Sequence, residues 1–148
     1  MIRQPNSALP LVVILGFDPA IASLVAEVLP LEGYEVQCVH TEAKAWSLLA
    51  RQPGKCIVLV DNLHVHQEGQ ELLLKLRKHP DVRAYVRVVC MMLGGSMDPL
   101  RQKYGELIDA YLLMPFTFPQ LLTIPRILLN RAKPSQRRRA RQNSRSSH

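Results

Sequence analysis

CIVLVDNLHVHQEGQELLLKLRK, residues 56–78, decides the fold. Its first five residues are apolar without a break. A strand with one wet face alternates, so a strand with no polar position is covered on both faces, as in a parallel sheet between helix layers. The run then stops at Asp61. A carboxylate directly after a buried strand is costly unless something pairs with it or uses it, which makes Asp61 the first candidate functional residue. From about Gly69 to Lys78, Leu72, Leu73 and Leu76 recur at helical spacing and predict an amphipathic helix. The segment is one strand–loop–helix unit.

The same unit repeats in both directions. LVVIL (11–15) is a short β-rich run, followed by Asp18-Pro19, an N-cap residue and a proline suited to the first helical position. The helix carries Ile21, Leu24, Val25 and Val28 and should fray at Pro30. YEVQCV (34–39) alternates, as an outer strand does. Thr41 caps a helix with Ala45, Trp46, Leu48 and Leu49 on one stripe, closed by Pro53-Gly54. VRVVCMML (86–93) predicts the fourth strand. GGSMDP follows as a loop, then a helix with Leu100, Tyr104 and Leu107. AYLL (110–113) is the fifth strand, and Phe118 to about Arg131 the last helix, kinked at Pro125. Strands alternating with helices in this way predict a doubly wound, five-stranded parallel α/β sheet with helices on both faces and right-handed crossovers.

Charge separates body from tail. The chain has 148 residues, 47% of them apolar, enough for one core, and a formal charge of +7. The tail from Arg131 to His148 holds Arg131, Lys133, Arg137, Arg138, Arg139, Arg141 and Arg145 and no acid, so the body is neutral. The expected division is a flexible start (1–10), one domain (11–132) and a disordered basic tail (133–148). No apolar run reaches the roughly 20 residues that span a bilayer, and MIRQPNS is not a signal peptide; a cytoplasmic protein is expected. Cys38, Cys56 and Cys90 form no CxxC and lie in apolar segments, where buried thiols of a reducing compartment are expected.

In a doubly wound sheet, function gathers beyond the carboxyl ends of the strands. Those ends deliver Gly16, Phe17 and Asp18 after the first strand, Asp61 after the third, Met92 and Leu93 at the fourth, and Met114 and Pro115 after the fifth. With these residues in view, the chain resembles the response-regulator receiver domain (the CheY-like family) over roughly residues 11 to 131. ILGFDPAIASLVAEVLPLEGYEV has the family's opening rhythm, VLVDNLHVHQEGQELLLKLRKHPDV its spacing from phosphoacceptor to third helix, and DAYLLMPF its closing strand and Pro-Phe turn. The resemblance implies a flavodoxin-like strand order 2-1-3-4-5. It also implies that Asp61 occupies the position phosphorylated by a histidine kinase.

The same resemblance exposes departures. An acyl phosphate forms on a carboxylate when Mg²⁺ neutralises the phosphoryl oxygens, and Mg²⁺ needs oxygen ligands. The family's acidic pair after the first strand is Gly16 and Phe17 here; Asp18, one place later, reads as a helix cap. The family's lysine after the fifth strand is Met114, and its hydroxyl after the fourth is Met92. The switch aromatic is kept as Tyr111, for which core packing is the commoner role. Phe17, Met92 and Met114 are expected to converge into an apolar pocket.

The expected function is therefore that of a stand-alone pseudo-receiver in a phosphorelay (two-component) system, not an enzyme. It would act through contacts with a protein partner, a histidine kinase or another regulator, without phosphorylation. The resemblance points to the face of the fourth helix, fifth strand and fifth helix as the docking surface. One alternative is a working receiver phosphorylated weakly at Asp61, with Mg²⁺ as its only cofactor. Another is nonspecific nucleic-acid contact through Arg137, Arg138, Arg139, Arg141 and Arg145. His64 and His66 near Asp61 lack a fourth ligand, so no metal site is expected. The sequence shows no Gly-rich phosphate loop or nucleophile–His set, and no further domain is expected after the tail. The partner and the oligomeric state stay open.

Overall fold

Five strands line up in the order β2-β1-β3-β4-β5, every neighbouring pair parallel. The computed structural model describes residues 9–16, 18–51, 54–60, 67–92 and 102–130. The strands are β1 (Leu11–Leu15), β2 (Glu35–Val39), β3 (Cys56–Val60), β4 (Val86–Met92) and β5 (Ala110–Leu113). The helices are α1 (Pro19–Val28), α2 (Glu42–Arg51), α3 (Gln67–Lys78), α4 (Pro80–Arg83) and α5 (Phe118–Asn130). The expected strand order is the observed one.

Burial follows position in the sheet. Every residue of β1, β3 and β4 is buried, whereas β2 and β5, at the edges, are mixed. Alternation divides the core in two. Val13, Val58, Val88 and Cys90 meet Ala45 and Leu49 of α2 and Leu72, Leu73 and Leu76 of α3 on one face. Val12, Ile14, Ile57, Leu59 and Val89 meet Val25 of α1 and Leu121 and Leu128 of α5 on the other. Each fully buried leucine or valine contributes about 1.5–3 kcal/mol, so the wholly apolar reading of CIVLV was a sound guide to its place in the middle of the sheet.

Local chemistry sets the element ends. The Asp18 carboxylate accepts the Ala20 N–H at 2.9 Å, and Pro19 opens α1. At Pro30 the α-helix does not simply fray. It tightens into a 3₁₀ turn (Leu29–Glu32) that Gly33 closes at φ 92°, a left-handed conformation open to glycine. Thr41 Oγ1 accepts the Lys44 N–H at 3.2 Å, as a cap of α2 should. Thr117 and Gln120 form a reciprocal capping box at the start of α5, with bonds of 2.8 and 3.3 Å. Pro125 lies inside α5 and is buried.

Three features differ from the sequence reading or were absent from it. Cys38 is exposed, not buried: it sits on edge strand β2, where one side of the strand has no neighbour. The single turn α4 was not foreseen. Arg87, a charged residue in β4, is fully buried, with Nη1 donating to the Ala84 and Val86 carbonyls at 3.2 and 3.4 Å. The expectations that fall on Phe17, Asp61, His64, His66, Leu93, Leu100, the GGSMDP loop, Pro53 and the tail lie outside the described residues.

Candidate functional site at the strand ends

The carboxyl ends of β1, β3 and β4 lie side by side, with Leu15 opposite Val60 and Val60 opposite Cys90. Past β1 the chain turns through Gly16, whose φ of 76° suits a residue without Cβ, and its N–H donates to the Val39 carbonyl at 3.4 Å. Asp18 follows on the surface. Its carboxylate faces the first turn of α1 and holds the Ala20 amide, so the cap role expected of it is filled.

On the far side of the sheet from β2, β4 stops at Met92, which pairs in register with Leu113 of β5. The Met114 N–H then donates to the Met92 carbonyl at 2.7 Å, and the Met114–Pro115 peptide is cis. The two methionine side chains do not meet. Met92, 1% exposed, is buried in the core on the α2/α3 face, while Met114 is half-buried against the core on the α1/α5 face. The convergence expected of them fails because they enter from opposite sides of the sheet. Tyr111 is half-buried on the same face as Met92, the packing role anticipated for it.

Sequence reasoning passed over the polar stitching between the elements, at both ends of the sheet. The Glu68 carboxylate of α3 accepts the Glu42 N–H at the start of α2 at 3.3 Å. Lys75 pairs with Glu42 at 3.2 Å and stands 5.2 Å from the Trp46 ring centre. Arg83 of α4 grips Asp109 with bonds of 3.1 and 3.2 Å, and the same carboxylate accepts the Val88 N–H at 2.8 Å. Polar contacts between different elements give little sequence signal, because neither spacing nor periodicity links their residues.

This strand order, with helices on both faces of the sheet, is shared with many solved proteins. A putative response regulator from Chloroflexus aurantiacus superposes with a TM-score of 0.69 at 21% identity, covering 83% of this chain and 99% of its own. A CheY-like receiver domain protein from Methanospirillum hungatei gives 0.67 at 16%, covering 81% and 94%. The fold is that of a response-regulator receiver domain. By sequence, the chain is 28% identical over 124 residues to the DNA-binding dual master transcriptional regulator RpaA of Synechocystis sp.. That match takes in 83% of this chain and 50% of the relative, so the chain spans about half the relative's length. No protein-family model matches the sequence.

A receiver's crevice holds Mg²⁺ through oxygen ligands. The described residues do not fit that ion: Gly16 has no side chain, Asp18 Oδ1 is engaged by a backbone amide, and Met92 and Met114 bring only thioethers. Among the described residues, no three His, Cys, Asp or Glu side chains come together as a metal site. No helix among them is long and apolar enough to cross a membrane.

Proposed function

We propose that this chain is a receiver-like module of a two-component signalling system that acts by docking a protein partner, without phosphorylation of Asp61. The observation that carries the reading is the replacement of phosphoryl-handling chemistry at three strand ends by Gly16, Met92 and Met114. Phosphoryl transfer depends on charge stabilisation by metal, cation and hydroxyl together. A thioether provides none of these, and a glycine no ligand at all. Asp61 then stands without the groups that would make it a phosphoacceptor. The partner would be a histidine kinase or another regulator.

Intact mass after incubation with acetyl phosphate and Mg²⁺, beside an Asp61→Ala control, tests this. The expected result is no phosphoryl adduct on a folded protein. An adduct that vanishes in the control would overturn the reading in favour of a working receiver.

A second reading rests on a separate observation. The seven cations from Arg131 to Arg145 are uninterrupted by any acid, a pattern suited to phosphate backbones. In this reading Arg137, Arg138, Arg139, Arg141 and Arg145 contact nucleic acid without reading its sequence. The relative from Synechocystis is named as DNA-binding, which is in keeping with such a role and no more, since half of that protein lies outside the match.

A further inference from the structure

The two helix layers differ in the sign of their charge. On one face, α2 and α3 carry the bases Lys44, Arg51, Lys75, Arg77 and Lys78 against the acids Glu42, Glu68 and Glu71, a net of +2. On the other, the segment from Asp18 to Glu35 carries Asp18, Glu27, Glu32 and Glu35 and no base, and α5 adds only Arg126, a net of −3. Asp18, Glu27 and Glu32 are exposed, as are Leu24 and Leu31, the latter with 84% of its surface in solvent. Leu24, Glu27 and Leu31 follow one another at three- and four-residue spacing, so they lie along one side of the helical run 19–32. The last helix ends against this surface. Arg126, one turn before the end of α5, is 3.8 Å from Glu32, and α5 stops at Asn130. The next seven charges in the chain, Arg131 to Arg145, are all cations.

We propose that the basic tail of this chain docks on the acidic side of its own domain, along α1. Charge and reach choose the occupant. Arg137, Arg138 and Arg139 lie seven to nine residues past Asn130, and that length of extended chain spans up to about 25–30 Å. The ten residues of α1 are only about 15 Å long, so the basic run reaches each exposed acid from Glu32 to Asp18. Arginine suits this surface in a second way. Its methylene stem covers apolar area while the guanidinium stays in water, which lets it lie over Leu24 and Leu31 and pair with Glu27 and Glu32. The α2/α3 layer, at +2, would repel the same run. The tail of a second copy carries the same charges, but a segment joined to its own docking site is held there at an effective concentration of about millimolar. Exposed ion pairs are weak one by one and screened by salt, so the contact is reversible: a polyanion that takes the tail uncovers α1. The inference rests on neither functional reading and holds whether or not Asp61 accepts phosphate.

The test is amide NMR of the 148-residue chain with a nitroxide attached through Ala140→Cys. A Cys38→Ser background leaves only the buried Cys56 and Cys90 as other thiols. At about 0.01 M salt, where the Debye length is about 30 Å, the amides of α1 are expected to lose intensity and those of α3 to keep it. At about 1 M salt, where that length is about 3 Å, the α1 signals should return. Glu27→Lys combined with Glu32→Lys should also restore them at low salt, whereas Glu71→Lys on the opposite layer should not. All three positions are exposed, and circular dichroism verifies folding of the variants. Inorganic polyphosphate should restore the signals by drawing the tail off. Loss that persists at high salt or in the double variant would reduce the effect to nearness in the chain and overturn the proposal. So would no loss, loss shared equally by α3, or signals unmoved by polyphosphate. Loss of the same size with the nitroxide and the isotope label on different chains would make the occupant a second copy, which also overturns it.

Discussion

Tyr34 stands just before β2 with its ring in the α1/α5-side core, 9% exposed. Burial pushes its phenol above the ordinary value of 10.0; the Arg126 guanidinium opposes that rise and the Glu32 carboxylate adds to it. The unfolded chain ionises near the ordinary value, while the folded chain holds the phenol neutral to higher pH. Because the folded pKa is the raised one, its contribution to stability is complete below the unfolded pKa and is lost as pH rises through the folded pKa. The urea midpoint is therefore expected to fall as pH rises above about 10, and Tyr34→Phe to remove part of that fall; an identical pH profile in the variant would show that Tyr34 plays no part in it. At this scale the sequence was readable where a residue carries its own geometry. Asp18-Pro19 announces a cap whatever surrounds it, and Gly33 a left-handed closure only once the 3₁₀ turn is known. Cys38 was misread because its exposure depends on β2 being an edge strand, which no single residue states.

The short helix α4 makes the corresponding case for elements. PDVR is one turn long and leaves no periodicity to detect, yet it positions Arg83 to link three segments. Beyond its two bonds to Asp109, Arg83 donates to the Val86 carbonyl at 2.6 Å and the Glu106 carbonyl at 3.3 Å. Asp109 in turn accepts the Val88 N–H, and its own N–H donates to the Val88 carbonyl at 2.8 Å, so the approach to β5 is fixed against β4. The two side chains are 13% and 6% exposed. Removing one partner of such a pair strands the other charge and a backbone amide. Asp109→Ala is thus expected to cost about 3 kcal/mol in urea unfolding, with Asp109→Asn recovering part through the Val88 amide. A loss under about 0.5 kcal/mol, typical of surface positions, would show that water replaces the contact. Long periodic elements such as α3 were legible almost to the residue, while this link was not, because it joins residues 26 apart in the chain.

For the whole molecule, alternation of apolar strands and amphipathic helices was enough to name the architecture and, through the family resemblance, the strand order. Which face a strand-end side chain enters was not legible, since it is settled by parity and by the neighbouring strand; hence Met92 and Met114, expected together, part company. Charge is the property that only the whole chain shows. Removing residues 133–148 deletes six cations and no acid, taking the formal charge from +7 to +1, and leaves every described strand and helix in place, since the last of them ends at Asn130. If the tail contacts nucleic acid through all seven of its cations, log K for duplex DNA falls against log salt with a slope of roughly −6. Electrostatic attraction of this kind works through phosphates, so it should be indifferent to sequence. The truncated chain should retain its circular dichroism spectrum and lose both the binding and nearly all of the slope. Binding that survives truncation with the slope unchanged would move the contact to the body of the domain, where acids and bases balance and no such attraction is expected.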